Sequence, residues 1–262
     1  MEKDLSIFFS TESIIVFILV LTRLSGMLAT APLFSTFPIP MQVKAGIAAL
    51  SAFIIYPFVL QAINFELPSN LILLSILIVK ELLIGVMIGF CASLIFTAIQ
   101  IGGHILSMEI GLAISETLDP TTGQQSPIVG QFYLFIASMT FIYLNGHQWL
   151  FSTVQESYLS IPAGLDFNFT SRLIEQIVYF TSQLFTIAFS IIMPIFQILL
   201  VTTVLMGFMA KIMPQMNIFM IAIPVKIYIG LTLISMLMPP TMQYLMRLIS
   251  TMLQDLHSIF VF

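Results

Sequence analysis

Six long apolar stretches constrain the fold of this chain more than any other feature. They cover roughly residues 14–34, 43–63, 71–106, 128–154, 174–206 and 218–249. An α-helix needs about 20 apolar residues to cross the ~30 Å hydrocarbon layer of a membrane, and each stretch is long enough to do so. Lipid offers no hydrogen-bond partners to the backbone, so apolar segments of this length are helices there. The pattern therefore predicts an all-α integral membrane protein built of long helical hairpins.

Composition excludes the soluble classes of protein. Hydrophobic residues make up 59% of the chain and charged residues only 8%, whereas soluble domains have about 25% charged residues. A water-soluble globule with so few charges could hardly cover its own surface. The net charge of −4 comes without any basic run, so we expect no nucleic-acid partner.

The third stretch is too long for a simple span. Residues 71–106 would extend for about 54 Å as one straight helix at ~1.5 Å per residue. The stretch also contains Lys80, Glu81 and Gln100. We therefore expect helices that are tilted, broken or partly outside the membrane, packed in a larger helical assembly.

One polar segment interrupts the apolar pattern. Residues 109–131 read "EIGLAISETLDPTTGQQSPIVGQ", with three acidic residues and two prolines between two very apolar stretches. Such a segment can be an exposed loop, a catalytic segment or a gate. An Asp before a Pro more often initiates a turn than performs catalysis.

Four of the charged residues within the apolar stretches are candidates for a position at membrane depth, where they need an environment other than lipid. They are Arg23, Lys80, Glu81 and Lys226. A charge at membrane depth faces a protein partner or a wet cavity, or it snorkels from an interfacial helix end. We expect structural pairing for Arg23 and Lys226, and snorkelling for Lys80 and Glu81.

Small residues predict close helix contacts. Gly85 and Gly89 lie four residues apart in "GVMIGF", on one face of a helix. Such a face allows two helix backbones to approach closely inside a membrane, although the motif does not name the partner helix.

No pattern of residues indicates catalysis. The chain contains neither a zinc-protease HExxH motif, a GxSxG nucleophile motif nor a phosphate-binding glycine loop. Its single cysteine, Cys91, lies in an apolar stretch, and a lone buried thiol usually acts as a small hydrophobe. We expect no catalytic residue, no metal and no cofactor.

Four ordered segments resemble the FliR family of flagellar type III export-gate proteins. They are "TAPLFSTFPIPMQVKAGIA" (30–48), "EIGLAISETLDPTTGQQSPIVGQ" (109–131), "YLNGHQWL" (143–150) and "MAKIMPQMNIFMIAIPVKIYIGL" (209–231). The resemblance covers nearly the whole chain. It implies a subunit of the export gate in the bacterial inner membrane, at the flagellar basal body.

The resemblance also implies partners and a two-part organisation. Family members form a closed helical ring with FliP and FliQ, FlhB associates with that ring, and unfolded flagellar subunits are the cargo. Residues 1–172 would be the FliP-like part, which includes a plug loop at 107–127, and residues 173–262 the FliQ-like hairpin part. Assembly and packing would involve Arg23, Gly85, Gly89, Pro214, Gln215, Asn217 and Lys226.

By the same resemblance, residues 109–125 project into the pore and close it. We call residues 109–125 the plug segment. Its candidate gate residues are Glu109, Ile110, Gly111, Leu112, Ile114, Glu116, Asp119, Pro120 and Gly123. Glycine and proline here oppose a continuous helix, and nonhelical backbone at membrane depth is tolerated only within protein or beside water.

Two other functions stay open on the residues alone. A secondary transporter often has broken helices and an ionisable site at the membrane midplane, but this chain has no evident inverted repeat. A non-conducting membrane scaffold is the second alternative, because six stretches in one chain could not enclose a protein-sized channel.

Overall fold

A computed structural model describes residues 11–62, 70–112, 127–162, 171–215 and 217–260 of the chain. Every regular element in these ranges is an α-helix, so the predicted all-α class is confirmed. The helices are α1 (Thr11–Thr30), α2 (Pro32–Thr36), α3 (Met41–Ala62), α4 (Leu71–Ile110), α5 (Ile128–Tyr143), α6 (Gly146–Ser160), α7 (Ser171–Ile212) and α8 (Ile218–Phe260).

Five of these helices are long and apolar enough to cross a membrane. They are α1, α3, α4, α7 and α8, and the broken pair α5 and α6 would make a sixth span. The stretch at 71–106 is not broken, because α4 runs through 40 residues without interruption. At ~1.5 Å per residue it is about 60 Å long, twice the hydrocarbon thickness. It must therefore tilt strongly or extend beyond the membrane.

Proline and asparagine set several of the helix boundaries. Pro32 occupies the first turn of α2, where its missing N–H costs no hydrogen bond. Asn145 adopts a left-handed φ of 55° between α5 and α6, as expected from its position before a glycine. Pro214 follows the end of α7 at Ile212 and disfavours helical geometry at Met213. The chain therefore turns between α7 and α8.

Packing divides the chain into two compact units, each built from separate parts of the sequence. The first unit comprises Met1–Leu94, Ile142–Phe180 and Ser250–Phe262, and the second comprises Ile95–Phe141 and Thr181–Ile249. The FliP-like and FliQ-like division at residue 172 rests on resemblance and stays a prediction.

In the first unit, α1 and α4 cross with their backbones in contact. A Cβ added at Gly26 would lie 2.6 Å from the carbonyl oxygen of Leu82, and one at Gly85 would overlap the carbonyl oxygen of Arg23. Gly89 faces Met27 and Thr30 in the same way. The structure therefore places the predicted small face of α4 against α1 of the same chain.

In the second unit, glycines bring α4 close to α5 and α7. A Cβ at Gly103 would lie 2.9 Å from the backbone nitrogen of Gly130 in α5, and one at Gly102 would lie 2.8 Å from the carbonyl oxygen of Ala188 in α7. Phe96 and Phe141 pack edge to face nearby, with ring centroids 5.6 Å apart. These contacts fix the last turns of α4, from which the plug segment starts.

Candidate functional site

The helix α4 ends at the first residues of the plug segment in a hydrogen-bonded glycine cap. Gly111 adopts a φ of +93°, a conformation that glycine reaches without the steric cost of a side chain. The N–H of Gly111 donates to the carbonyl of Met108, and that of Leu112 donates to the carbonyl of Ser107, both at 3.1 Å. This pair of bonds is a Schellman motif, which satisfies the last helical carbonyls and turns the chain away from the helix axis.

The carboxylate of Glu109 anchors this helix end to α7 and α8. Its Oε1 accepts a hydrogen bond from Lys226 Nζ in α8 at 3.1 Å and another from Thr203 Oγ1 in α7 at 3.0 Å. The side chains of Lys226 and Glu109 are 18% and 26% exposed. The pair is thus partly shielded from water, which strengthens its attraction relative to a surface ion pair.

A packing contact supplements the ion pair one residue later. Ile110 is fully buried, and a Cβ built on Gly230 in α8 would lie 2.6 Å from Ile110 Cγ1. Only glycine at position 230 leaves room for this side chain without a shift. The start of the plug segment therefore contacts α8 at two points, through Lys226 and through Gly230.

An apolar cavity of about 360 Å³ lies beside the anchored residues in the second unit. Among the described residues that line it, those with polar side chains are Glu109, Thr203 and Lys226. The other lining residues are Met108, Gly111, Met206, Gly207, Ala210, Ile218, Ala222 and Ile223. The low polarity of these walls strengthens the Glu109–Lys226 attraction further.

The first unit contains a separate buried polar cluster, which we call the arginine node. Arg23 of α1 donates from Nε to Glu81 Oε2 at 2.6 Å and from Nη2 to Glu81 Oε1 at 3.0 Å. It also donates to Ser157 Oγ at 2.7 Å and to the carbonyl of Ile161 at 3.1 Å. Tyr158 donates to Glu81 Oε2 at 3.1 Å, and its ring lies 3.6 Å from Arg23 Cζ.

The arginine node joins three helices through charges that are removed from solvent. Arg23, Glu81, Ser157 and Tyr158 are each 0% exposed and belong to α1, α4 and α6. Buried charges persist when they are paired and their remaining donors and acceptors are satisfied. The node meets this requirement, so we assign it a structural role in the first unit.

Two expectations about charged residues were wrong. Snorkelling of Glu81 and Lys80 to an interface does not occur, because Glu81 is 0% exposed and Lys80 is 3% exposed. Glu81 is buried because Arg23 of α1 donates a hydrogen bond to each of its two carboxylate oxygens. That partner is 58 residues away in the sequence, so neighbouring residues gave no sign of it.

The remaining predicted site residues fall into two groups. Pro214 and Gln215 lie in the turn between α7 and α8, and Asn217 precedes α8 and accepts a backbone hydrogen bond from Met220 at 3.1 Å. Five predicted plug residues lie outside the described residues: Ile114, Glu116, Asp119, Pro120 and Gly123.

Sequence reasoning missed four residues that the structure brings into these clusters. Thr203 and Gly230 contact the start of the plug segment, and Ser157 and Tyr158 complete the arginine node. A threonine in an apolar helix usually bonds its own backbone, as Thr203 also does to Leu199. Only Ser157 and Tyr158, a polar pair shortly after the apolar stretch 128–154, gave a weak signal.

Comparisons with known proteins match almost the whole chain to one family of export proteins. The family model described as bacterial export proteins, family 1, matches residues 14–252. The chain is 30% identical over 219 residues to the flagellar biosynthetic protein FliR of Bacillus subtilis (strain 168), covering 82% of each chain. It is 28% identical over 246 residues to the protein of that name from Escherichia coli (strain K12), covering 91% of each. The Aquifex aeolicus (strain VF5) relative is 26% identical over 230 residues and 88% of each chain.

Proposed function

The chain belongs to the bacterial export proteins, family 1, as a membrane-embedded component of the flagellar export apparatus, and we propose that it forms part of the entrance pore for unfolded flagellar subunits. In this proposal the plug segment closes the pore, and the chain performs no catalysis. FliP and FliQ complete the ring around the pore, FlhB associates with the ring, and the assembly lies in the bacterial inner membrane.

The need for other chains is supported by the exposure of the long helices. Only 11% of the apolar segment of α8 is buried within this chain, against 33% for those of α4 and α7. One chain of this size cannot surround a polypeptide on all sides. A pore would therefore be closed by several subunits, to which this chain contributes one sector.

The anchored end of α4 is the observation that carries the assignment of the plug. A pore plug must leave its helix at a fixed point and return to one position when cargo has passed. The cap at Gly111, the ion pair of Glu109 with Lys226 and the packing of Ile110 on Gly230 together fix that starting point. A loose surface loop would need none of these contacts.

The chemistry of the segment itself suits a reversible seal. Apolar residues at 112, 114 and 118 can pack against one another or against partner side chains, and the Ser, Thr and Gln residues of the segment can hydrogen-bond backbone groups. A purely apolar plug would hold too tightly to be displaced by a polypeptide. A strongly charged one would attract water and conduct ions.

Ion leakage through assembled complexes tests the proposal. Deletion of residues 113–124 should leave the complex assembled and increase the ion conductance of the membrane. Lys226→Met should produce a smaller increase, because the remaining partner of Glu109 among the described residues is then the hydroxyl of Thr203. Lys211→Met is the matched control, since Lys211 lies exposed in the last turn of α7.

The measurement is single-channel or bulk conductance of the purified complex in planar bilayers, after its native mass shows that all subunits are present. If an assembled deletion variant conducts no more ions than the unaltered complex, the plug segment does not close the pore. If the chain purifies alone, without other membrane subunits, it does not form part of a shared pore.

A further inference from the structure

The cavity beside Glu109 has the size of a site for a small molecule. It lies between the last turn of α4, the last turns of α7 and the first turns of α8, all within the second unit. Its volume of about 360 Å³ is at the lower end of the ~300–1,000 Å³ that ligand pockets occupy. A helix, about 10 Å wide with its side chains, is too large to enter it. We call it the α7–α8 cavity.

Most of the wall of the α7–α8 cavity is smooth and apolar. Gly207, Ala210 and Ala222 leave space, and Met108 and Met206 supply flexible thioethers that adapt to the shape of a guest. A Cβ added at Gly207 meets no atom within 4 Å. A buried water needs two to four polar partners, so the apolar part of the cavity favours an apolar occupant.

One end of the cavity is polar and has unused hydrogen-bonding capacity. The hydrogen bonds that Glu109 accepts from Lys226 and Thr203 both end on its Oε1. Its Oε2 accepts none from the described residues, and Lys226 Nζ uses one of its three donors within that part of the chain. A head group that both donates and accepts can therefore bond Glu109 Oε2 and Lys226 Nζ at once.

The charges at this end select an uncharged head group. Glu109 Oε1 and Lys226 Nζ lie 3.1 Å apart, and their charges neutralise each other. A carboxylate or phosphate head would lie beside Glu109, and an ammonium head beside Lys226; either like charge is repelled strongly in surroundings of low polarity. A hydroxyl adds no charge, donates one hydrogen bond and accepts others, so it suits both partners.

We infer that the α7–α8 cavity binds an aliphatic chain with a hydroxyl head group. The chain lies against the apolar walls, and the hydroxyl lies between Glu109 Oε2 and Lys226 Nζ. The guest enters from the side of the helices, where Met108 is 54% exposed and Gly207 and Ala210 are also exposed. Two sources share this chemistry, a short free alcohol and a membrane glyceride with a free hydroxyl. The inference does not depend on the proposed pore.

Photolabelling of the complex in lipid vesicles tests the site, without detergent, whose alkyl chains would compete. The probe is octanol with a diazirine on its chain, and labelled residues are mapped by mass spectrometry. We expect labels on lining residues such as Met206 and Ile223, and excess unlabelled octanol should remove them.

Cavity-filling variants show whether the label reports this cavity. Ala222→Leu should lower labelling by about tenfold, because overpacking of roughly 1.4 kcal/mol opposes the guest. Gly207→Leu is a second variant, whose added Cβ meets no atom within 4 Å. The matched control is Ala45→Leu, the same change at an exposed position of α3, which should leave labelling unchanged.

Probes of equal chain length test the head group. Diazirine probes that end in a carboxylate or an ammonium should label the cavity less than the octanol probe does. Equal labelling by either charged probe would overturn the assignment of a hydroxyl head.

Competition separates the two sources of the guest. If monooleoylglycerol in the vesicles suppresses labelling as octanol does, a membrane glyceride occupies the cavity; if octanol alone suppresses it, the guest is a short alcohol. Both results support the site.

Absence of saturable labelling would overturn the site, because it would mean that protein side chains already fill the cavity. Native mass first shows that the labelled complex contains all its subunits; if no complex forms, the full chain in vesicles gives the same test. Labelling is measured independently of ion conductance, so its failure would leave the proposed function standing.

Discussion

The arginine node gives the sharpest quantitative prediction, because its contacts are few, short and fully buried. In Glu81→Ala, Arg23 loses the two hydrogen bonds to the carboxylate and keeps, among the described residues, those to Ser157 and Ile161. The guanidinium then remains as a buried charge without a counter-ion. Breaking a buried ion pair by removing one partner costs about 3–5 kcal/mol of folding free energy.

The loss should be visible as a large fall in thermal stability. At roughly 2–4 °C per kcal/mol for a chain of this size, the Tm of Glu81→Ala should fall by about 6–20 °C. Cys91 supplies the assay without engineering, since it is the only cysteine of the chain and is 2% exposed in the first unit. A thiol-reactive fluorogenic dye added to the full chain in mild detergent therefore reports unfolding.

The double variant Arg23→Met with Glu81→Leu distinguishes charge pairing from general packing. It removes both charges, and Ser157 keeps its hydrogen bond to the carbonyl of Val154 at 2.7 Å. The main remaining loss is that the buried hydroxyl of Tyr158 has no acceptor, which costs about 1–3 kcal/mol. The double variant should therefore be more stable than either Glu81→Ala or Arg23→Met alone.

Two results would refute this reasoning. One is a Tm for Glu81→Ala within experimental error of the unaltered chain, which would mean that the carboxylate is not a required partner. The other is a double variant whose destabilisation equals the sum of those of Arg23→Met and Glu81→Leu made singly, because contacting charges must couple.

Three further predictions concern glycines and use the same unfolding assay, together with bilayer conductance of the assembled complex. Gly85→Ala should destabilise the first unit by about 1–3 kcal/mol, since the added Cβ overlaps a backbone carbonyl that cannot move aside. The control is Gly46→Ala, which has open space around the added Cβ and should be neutral or stabilising by up to ~1 kcal/mol. Gly111→Ala should cost roughly 1–2 kcal/mol because of its left-handed φ, and unchanged stability would argue against the cap. Gly230→Ala should displace Ile110 and increase ion conductance, whereas Gly207→Ala, which meets no atom within 4 Å, should change neither property.

The sequence by itself determined the class of the fold and the family. Apolar stretches of this length have one stable solution in lipid, a helix, because only a helix satisfies its backbone within a single segment. Pro214 disfavours helical geometry at the residue before it, and Asn145 before a glycine favours a turn. These signals are local, and so they can be identified without knowing what each segment contacts.

Tertiary structure alone decided which polar groups meet. The partner of Arg23 is 58 residues away, and the partner of Lys226 is 117 residues away. Hydropathy predicted an interfacial position for Glu81, because the hydropathy of a sequence window does not depend on whether a buried counter-ion exists elsewhere in the chain. The same holds for Gly230, whose role follows from the position of Ile110. Pairing of this kind is set by helix crossings, and only the packed chain specifies which faces cross.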